Sequence, residues 1–332
     1  MFHIPKLINR NIQMKKIVII VVFLTLIFSC NSKNRLKVDV SNIPSDVNIT
    51  RFEKVFYNSK PSELPKIKKE FRILFPHDID SIWVKKMQDK DEQELFAETM
   101  RVYPNLKDVK LQLDDLFKHV KYYYPKFEEP KTITLISDVD FNQKVVYADS
   151  LLFISLDVFL GEDSKIYKDY PLYLKENFTK KQLIVSTAKE LVKPIVFPVK
   201  DRTFISKMIQ EGKKMYALDA FLPNFNDASK MGYTEKKLQW SQMNEDMIWS
   251  YFVEKELLYS TDSSLAKRFL SDAPFSKFYL DIDNESPGNI ATWLGWQIVR
   301  SYMKHNNKVS LTELMKIDND IVYKKSKYKP KR

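Results

Sequence analysis

The sequence predicts an α+β fold, predominantly helical with a small sheet, on three observations. Apolar residues recur at helical spacing over most of the chain, strand-like runs are confined to one stretch near its middle, and only 5 glycines occur in 332 residues. So few glycines argue against an all-β fold closed by glycine turns and against loops that cradle phosphate. No G-x-G-x-x-G, Walker A or G-x-S-x-G spacing occurs anywhere.

The first element is an address. Lys15 and Lys16 precede an apolar run from Ile17 to Phe28, followed by Ser29 and by Cys30, the single cysteine of the chain. The run is about 12 residues, short of the roughly 20 that a spanning helix needs, and fits the core of a bacterial secretory signal. Residues 1–29 are therefore read as a lipoprotein signal peptide. "LIFSC" is a loose lipobox, so cleavage before Cys30 and acylation of its thiol and new amine, by chains such as palmitate, is expected. At about 0.8 kcal/mol per buried methylene, two or more chains make a stable anchor. An uncleaved membrane anchor with an incidental cysteine is the alternative.

Residues 30–50 follow as the lipidated cysteine and a polar tether, 51–323 as a single domain, and 324–332 as a basic tail. Lys6, Arg10, Lys15 and Lys16 leave with the signal and no acid does, which lowers the formal net charge from +11 to +7. The tail "KKSKYKPKR" carries six of those charges. The rest is near neutral, which gives no support for a nucleic-acid-binding face. With its one cysteine acylated the fold has no disulfide, and it depends on its apolar core.

Within the domain, "PSELPKIKKEFRILFP" places Leu64, Ile67, Phe71 and Leu74 on one helical stripe before Pro76. "NLKDVKLQLDDLFKHV" does the same with Leu106, Val109, Leu113, Leu116 and Val120 behind an Asn105 cap. The strands are "TITLIS" from Thr132, "KVVYA" from Lys144 and "LLFISLDVFLG" from Leu151, the last running to Gly161. Helices return from Thr179, which can cap "KKQL", and that helix stops before Pro194. Tyr122, Tyr123 and Tyr124 are placed at the join between helices and sheet. Trp293, Trp296, Ile298, Val299 and Tyr302 belong to a core helix that Gly295 lets pack closely.

The segment "VSTAKELVKPIVFP" carries the chemical question. Lys189 and Lys193 stand at i and i+4 around Glu190, the spacing at which H-E-x-x-H offers two imidazoles to zinc and a glutamate to its water. An ammonium has three donors and no lone pair, so neither lysine can coordinate a metal at ordinary pH. The histidines of the mature chain, His77, His119 and His305, are scattered and form no local pair.

The signal, the tether, "LLFISLDVFL", "STAKELVKPIVFP", "MIQEGKKMYALDAFLP" and "SPGNIATWLGWQIVRSYM" together resemble the gliding motility lipoprotein family of Bacteroidetes, GldB, over nearly the whole mature length. That family is in turn similar to predicted gluzincin-type metalloproteins, in which a glutamate after the H-E-x-x-H helix is the third ligand. The resemblance implies a zincin-like domain. It places the first histidine on Lys189, the general base on Glu190, the second histidine on Lys193 and the third ligand on Glu211. The acids match and the histidines do not, so the site is expected to be degenerate, with no catalytic residue, metal or cofactor. Paired, charge-assisted bonds from the lysines to Glu190 and Glu211 would make it a structural clasp. A plain charged helix face with Glu211 unrelated is the competing reading. An acid–base pair for glycoside hydrolysis, which needs carboxyls about 5–9 Å apart in a sugar cleft, is a third.

The expected function is that of a lipid-anchored, non-enzymatic envelope component for gliding and the linked secretion machinery, a pseudo-metallopeptidase. The alternative is an envelope peptidase with a rebuilt site. Expected partners are the membrane, through acylated Cys30, and other gliding or secretion envelope proteins. Neither nucleic acid nor a small-molecule substrate is expected. The anchor is expected to face the periplasm, in the outer rather than the inner membrane, since Asn31 gives no aspartate-type retention cue and "NSKNR" no acidic export run.

Overall fold

The computed structural model describes residues 35–331, apart from 77, 78, 199 and 282. Cys30 and the signal lie outside the described residues. β1 (Ile49–Arg51), β2 (Lys131–Leu135), β3 (Val145–Ala148) and β4 (Leu151–Ser155) form one sheet in the order β1-β2-β4-β3. β1, β2 and β4 run parallel, with Ile49 opposite Thr132 and Lys131 opposite Leu151. β3 pairs antiparallel with β4, Val145 opposite Ile154.

The predicted strands recur with three differences. β1 has only three residues and no alternating pattern to announce it. β2 buries Thr132, Ile133 and Thr134 in succession, because protein covers both of its faces. The Thr134 hydroxyl there donates to the buried Glu53 at 2.7 Å, and Arg51 Nε reaches the same carboxylate at 2.6 Å. The strand expected to run from Leu151 to Gly161 ends at Ser155, and Leu156–Val158 is a 3₁₀ turn. Asp157 explains the break. Its carboxylate accepts the Ser137 amide at 3.1 Å and the Val139 amide at 2.6 Å, tying the chain to a neighbouring loop.

In that loop Asp138 and Val139 have φ of 61° and 56°. A β-branched residue in the left-handed region is strained, and it persists only where its surroundings impose it. The buried Asp157 supplies that constraint. It fixes the path of the chain into β3.

The helices that position the site are α1 (Lys107–Tyr123), α2 (Lys180–Val192), α3 (Phe204–Phe221), α4 (Glu245–Glu254), α5 (Ile290–His305) and α6 (Asn319–Ser326); further helices, among them Asp80–Gln88 and Lys90–Val102, complete the fold. α1 buries Leu106, Val109, Leu113, Leu116 and Val120 as its periodicity predicts. Asn105 Oδ1 accepts the Lys107 amide at 3.1 Å, although the residue at the cap position is Leu106. The first predicted stripe is shorter than expected: Leu64–Glu70 is helical, while Leu74 lies in a 3₁₀ turn.

α3 and α5 cross closely. A Cβ on Gly295 would lie 2.0 Å from the Met208 carbonyl oxygen, and one on Gly212 would lie 2.3 Å from that of Gly295. Trp293, Trp296, Ile298, Val299 and Tyr302 are buried around this crossing, as expected of a core helix. The tyrosine run sits elsewhere than predicted. Tyr123 and Tyr124 meet Phe221 of α3, ring centroids 6.3 and 6.1 Å apart, and Tyr122 is exposed. Their contact is helix to helix.

The compact unit begins at Asp39, not at residue 51. Asp114 of α1 takes the Ser45 hydroxyl at 3.0 Å and the Val47 amide at 2.8 Å, and Lys121 Nζ reaches the Pro44 carbonyl at 2.8 Å. Residues 39–47 are thus held by α1, where composition alone suggests a free tether. The basic tail is likewise docked as far as Tyr328. Its hydroxyl donates to Glu245 at 2.7 Å, and its ring packs edge-on to Trp249 of α4 at 5.4 Å.

Candidate functional site

α2 starts after Thr179 and gives way at Lys193 to a 3₁₀ turn containing Pro194, as predicted. Thr179 holds the cap position without a side-chain bond to the helix amides. Leu183, Ile184, Ala188, Leu191 and Val192 are buried. The other side carries Gln182, Ser186, Lys189, Glu190 and Lys193, one polar stripe at helical spacing. That stripe forms a wall of a cavity of about 500 Å³, within the roughly 300–1,000 Å³ common for ligand sites. Facing it are Lys144 at the entry to β3, the turn at Gly232 and Tyr233, Asp272, and the turn at Gly288 and Asn289 that leads into α5.

The structure brings Lys189, Glu190 and Lys193 to this cavity and leaves Glu211 out of its lining. Lys193 Nζ binds Glu190 at 2.5 Å, and Glu211 binds Lys214 at 2.7 Å, both i,i+3 pairs. The clasp across α2 and α3 is therefore not formed. Each acid closes onto a lysine of its own chain segment, one helical turn away, which costs less ordering than a bond between helices. Because only Glu190 of the two acids lines the cavity, the glycosidase pairing is also lost. His119 and His305 each bond a backbone carbonyl one turn earlier, at Asp115 (2.8 Å) and Ser301 (2.9 Å). His77 lies outside the described residues. Among the described residues no three His, Cys, Asp or Glu side chains gather in a metal-binding group.

Lys189 stands apart from the paired lysines. Burial pushes its ammonium below the ordinary lysine range, and the charges of Asp272 and Glu211 only partly oppose this. Lys144 shifts the same way, first through burial and then through the nearby charge of Lys189. Sequence reasoning missed Lys144: it stands just before a strand, and no spacing rule links it to a helix 45 positions later. The opposite wall is tightly specified. Asn289, at φ 46°, donates to Asp272 at 2.6 Å, and the hydroxyl of half-buried Tyr233 donates to the Gly288 carbonyl at 2.7 Å. Gly232 takes φ 77°, and a Cβ there would lie 2.7 Å from Asn177 Oδ1.

The model of the family described as gliding motility protein GldB matches residues 33–330. The chain belongs to that family. Membership makes it a gliding-motility-related lipoprotein, hence a membrane-anchored protein of the cell envelope. No curated protein and no solved structure matches it. Among the described residues no helix is long and apolar enough to cross a membrane.

This GldB-family chain contains one further polar centre that the sequence did not announce. Asp219 of α3 accepts Lys230 Nζ at 2.9 Å, Arg300 Nε and Nη2 at 2.8 Å, and the Trp296 indole at 2.9 Å. Arg300 also binds Asp227 with both terminal nitrogens and lies 3.7 Å over the Trp296 ring. Burial alone would raise the Asp227 carboxyl. The bonds from Arg300 outweigh it and hold the group below its ordinary range. This network ties α3 to α5 and to the short helix Asp227–Met231. It is the clasp that sequence reading placed at Lys189.

Proposed function

We propose that this GldB-family lipoprotein is a non-enzymatic component of the envelope machinery for gliding and the linked secretion system, anchored through acylated Cys30 and facing the periplasm. The scaffold belongs to the same proposal: a zincin-like domain whose metal site has been replaced. One observation carries the non-enzymatic reading. At the positions of the two imidazoles stand lysines, and Lys193 is closed onto Glu190, so the would-be general base is neutralised by the would-be ligand. Glu211, the would-be third ligand, is spent on Lys214. An ammonium has no lone pair for a metal, so the four positions supply two acids that no longer converge on one point.

Metal analysis of the full chain purified in detergent tests this, together with proteolysis assays of the wild type and Glu190→Ala. The expected result is no stoichiometric zinc and no activity sensitive to Glu190. Zinc bound one to one, with peptide cleavage lost in Glu190→Ala, would establish the peptidase reading instead. Replacing Cys30 with Ala is expected to move the protein from the membrane to the soluble fraction; unchanged membrane association would refute acylation there.

A further inference from the structure

Four lysines line the α2 cavity, and they fall into two classes. Lys193 is paired with Glu190, and Lys237 with Glu176. Among the described residues the ammonium groups of Lys144 and Lys189 make no hydrogen bond or ion pair, although the charge of Asp272 acts on both. This sets them apart from the most buried lysines of the chain. Lys213 Nζ donates to the Ile317 carbonyl, and Lys230 to Asp219 at 2.9 Å. Lys144 and Lys189 are both half-buried in the cavity wall; an ammonium withdrawn from water without a partner is costly, and folded proteins pair such groups or bind something to them.

We propose that the α2 cavity is a binding site for an oxyanion carried by a small organic ligand, held between the ammonium groups of Lys144 and Lys189. The two lysines enter from different parts of the chain, the loop leading into β3 and α2, and their charges act on one another. That is the arrangement expected where an anion belongs between them. The acids on the wall fill this role only in part: Glu190 is held by Lys193, and the charge of Asp272, which accepts from Asn289, opposes the burial of both ammonium groups without outweighing it. With Lys193 matched by Glu190 and Lys237 by Glu176, Lys144 and Lys189 face Asp272 as the one remaining acid of the lining, and the wall keeps a net positive charge for an anion. Neutral donors complete the shell. Ser186 lies one turn before Lys189 on the same stripe, and Asn177 projects beside Gly232. Phe141, Phe178 and Tyr173 offer apolar wall for the ligand body. Gly232 and Asn289, both at positive φ, face the same space, and Val139 lies on the loop that delivers Lys144. Strain of this kind collects at ligand sites. The inference does not depend on the envelope role and requires no metal.

Phosphate and carboxylate share this chemistry, and two probes separate them. Thermal unfolding and calorimetric titration of the full chain in detergent are run with inorganic phosphate and with succinate, each against sodium chloride at equal ionic strength. The expected result is a saturable rise in melting temperature with at least one probe, absent with chloride; the stronger probe identifies the anion class. Lys144→Met and Lys189→Met should each weaken binding at least about tenfold, a loss that one removed charge–anion bond readily produces. Both variants should melt no lower than wild type without ligand, because each removes an unpartnered charge. A purely structural lysine would do the reverse. The exposed Lys181→Met should change neither readout. Should a variant fail to fold, mass-spectrometric mapping of reductive methylation on the wild type decides: the bound probe should protect Lys144 and Lys189 and no exposed lysine. No saturable shift with either probe, or equal modification of both residues with and without it, would overturn the proposal.

Discussion

Replacing Asp219 with alanine should be among the most damaging single changes in the α3–α5 half of the molecule, and the geometry says by how much. The residue is 8 % exposed and accepts four hydrogen bonds, three of them from cationic side chains. Its removal leaves Lys230, 4 % exposed, with no counter-charge in contact and the Trp296 indole without an acceptor. Arg300 keeps Asp227. Removing one partner of a buried pair typically costs 3–5 kcal/mol, mostly for the charge left behind, and the orphaned indole adds about 1 kcal/mol. A loss of about 4–6 kcal/mol is expected for Asp219→Ala. The comparison is Glu190→Ala, which breaks a pair whose lysine is 63 % exposed and should cost no more than about 1 kcal/mol. Urea unfolding followed by tryptophan fluorescence gives both numbers from the shift in midpoint at constant slope. If Glu190→Ala proves the costlier change, the clasp is at α2 after all and the assignment to Asp219 fails.

Two further predictions concern packing and pH. Gly295→Ala would ordinarily stabilise a helix by up to about 1 kcal/mol. Here the new methyl meets the Met208 carbonyl at 2.0 Å, so the helices must separate and a net loss of about 1–3 kcal/mol is expected in the same unfolding assay. A stabilised variant would mean that the crossing is not as close as described. Asp157 should give stability a distinct acid dependence. Burial raises its carboxyl to about 6, against the bonds from Val139 and Ser137. The folded state then holds this proton more tightly than the unfolded chain. The contribution is full below the unfolded value near 3.9 and fades as pH rises through 6. Going from pH 7 to pH 5, this one group should add about 1.3 kcal/mol. Carboxyls held low by partners, such as Asp114 and Asp227, act in the opposite direction. The measurement is therefore the difference in slope between wild type and Asp157→Asn. Equal slopes would refute the assignment.

Much of the architecture is legible because it follows from periodicity. α1 could be read from five apolar positions, and the close crossing at Gly295 from one small residue among large ones. β1 could not, since three residues establish no period. The end of β4 was hidden for another reason. Asp157 sits in an alternating run, and only its tertiary bonds to Ser137 and Val139 pull the chain out of the sheet. Both ends of the domain are held alike: composition marks a polar tether and a basic tail, but Asp114 and Glu245 capture specific groups within them. Composition measures how much apolar surface a segment can bury, and a few directed hydrogen bonds can dock a segment that buries little.

The site shows the same division at the level of single charges. Spacing correctly set Lys189, Glu190 and Lys193 on one face, because helical geometry decides that. It could not say which ammonium meets which carboxylate, because ion pairs form by distance in three dimensions, and the i,i+3 partners Lys193 and Lys214 reach the acids first. The consequence is what makes the cavity informative. Had Lys189 paired with Glu211, all the charge at the old ligand positions would be internally balanced and the space beside α2 would be inert. Because both acids are taken by other lysines, Lys189 remains partnerless next to a second such lysine, Lys144. An excess of positive charge in a half-buried, partly apolar cleft is unfavourable for the empty protein. Methionine would fit much the same volume without the charge. Its presence in a chain that otherwise pairs its most buried lysines is the physical argument for an anion that the folded domain is shaped to receive.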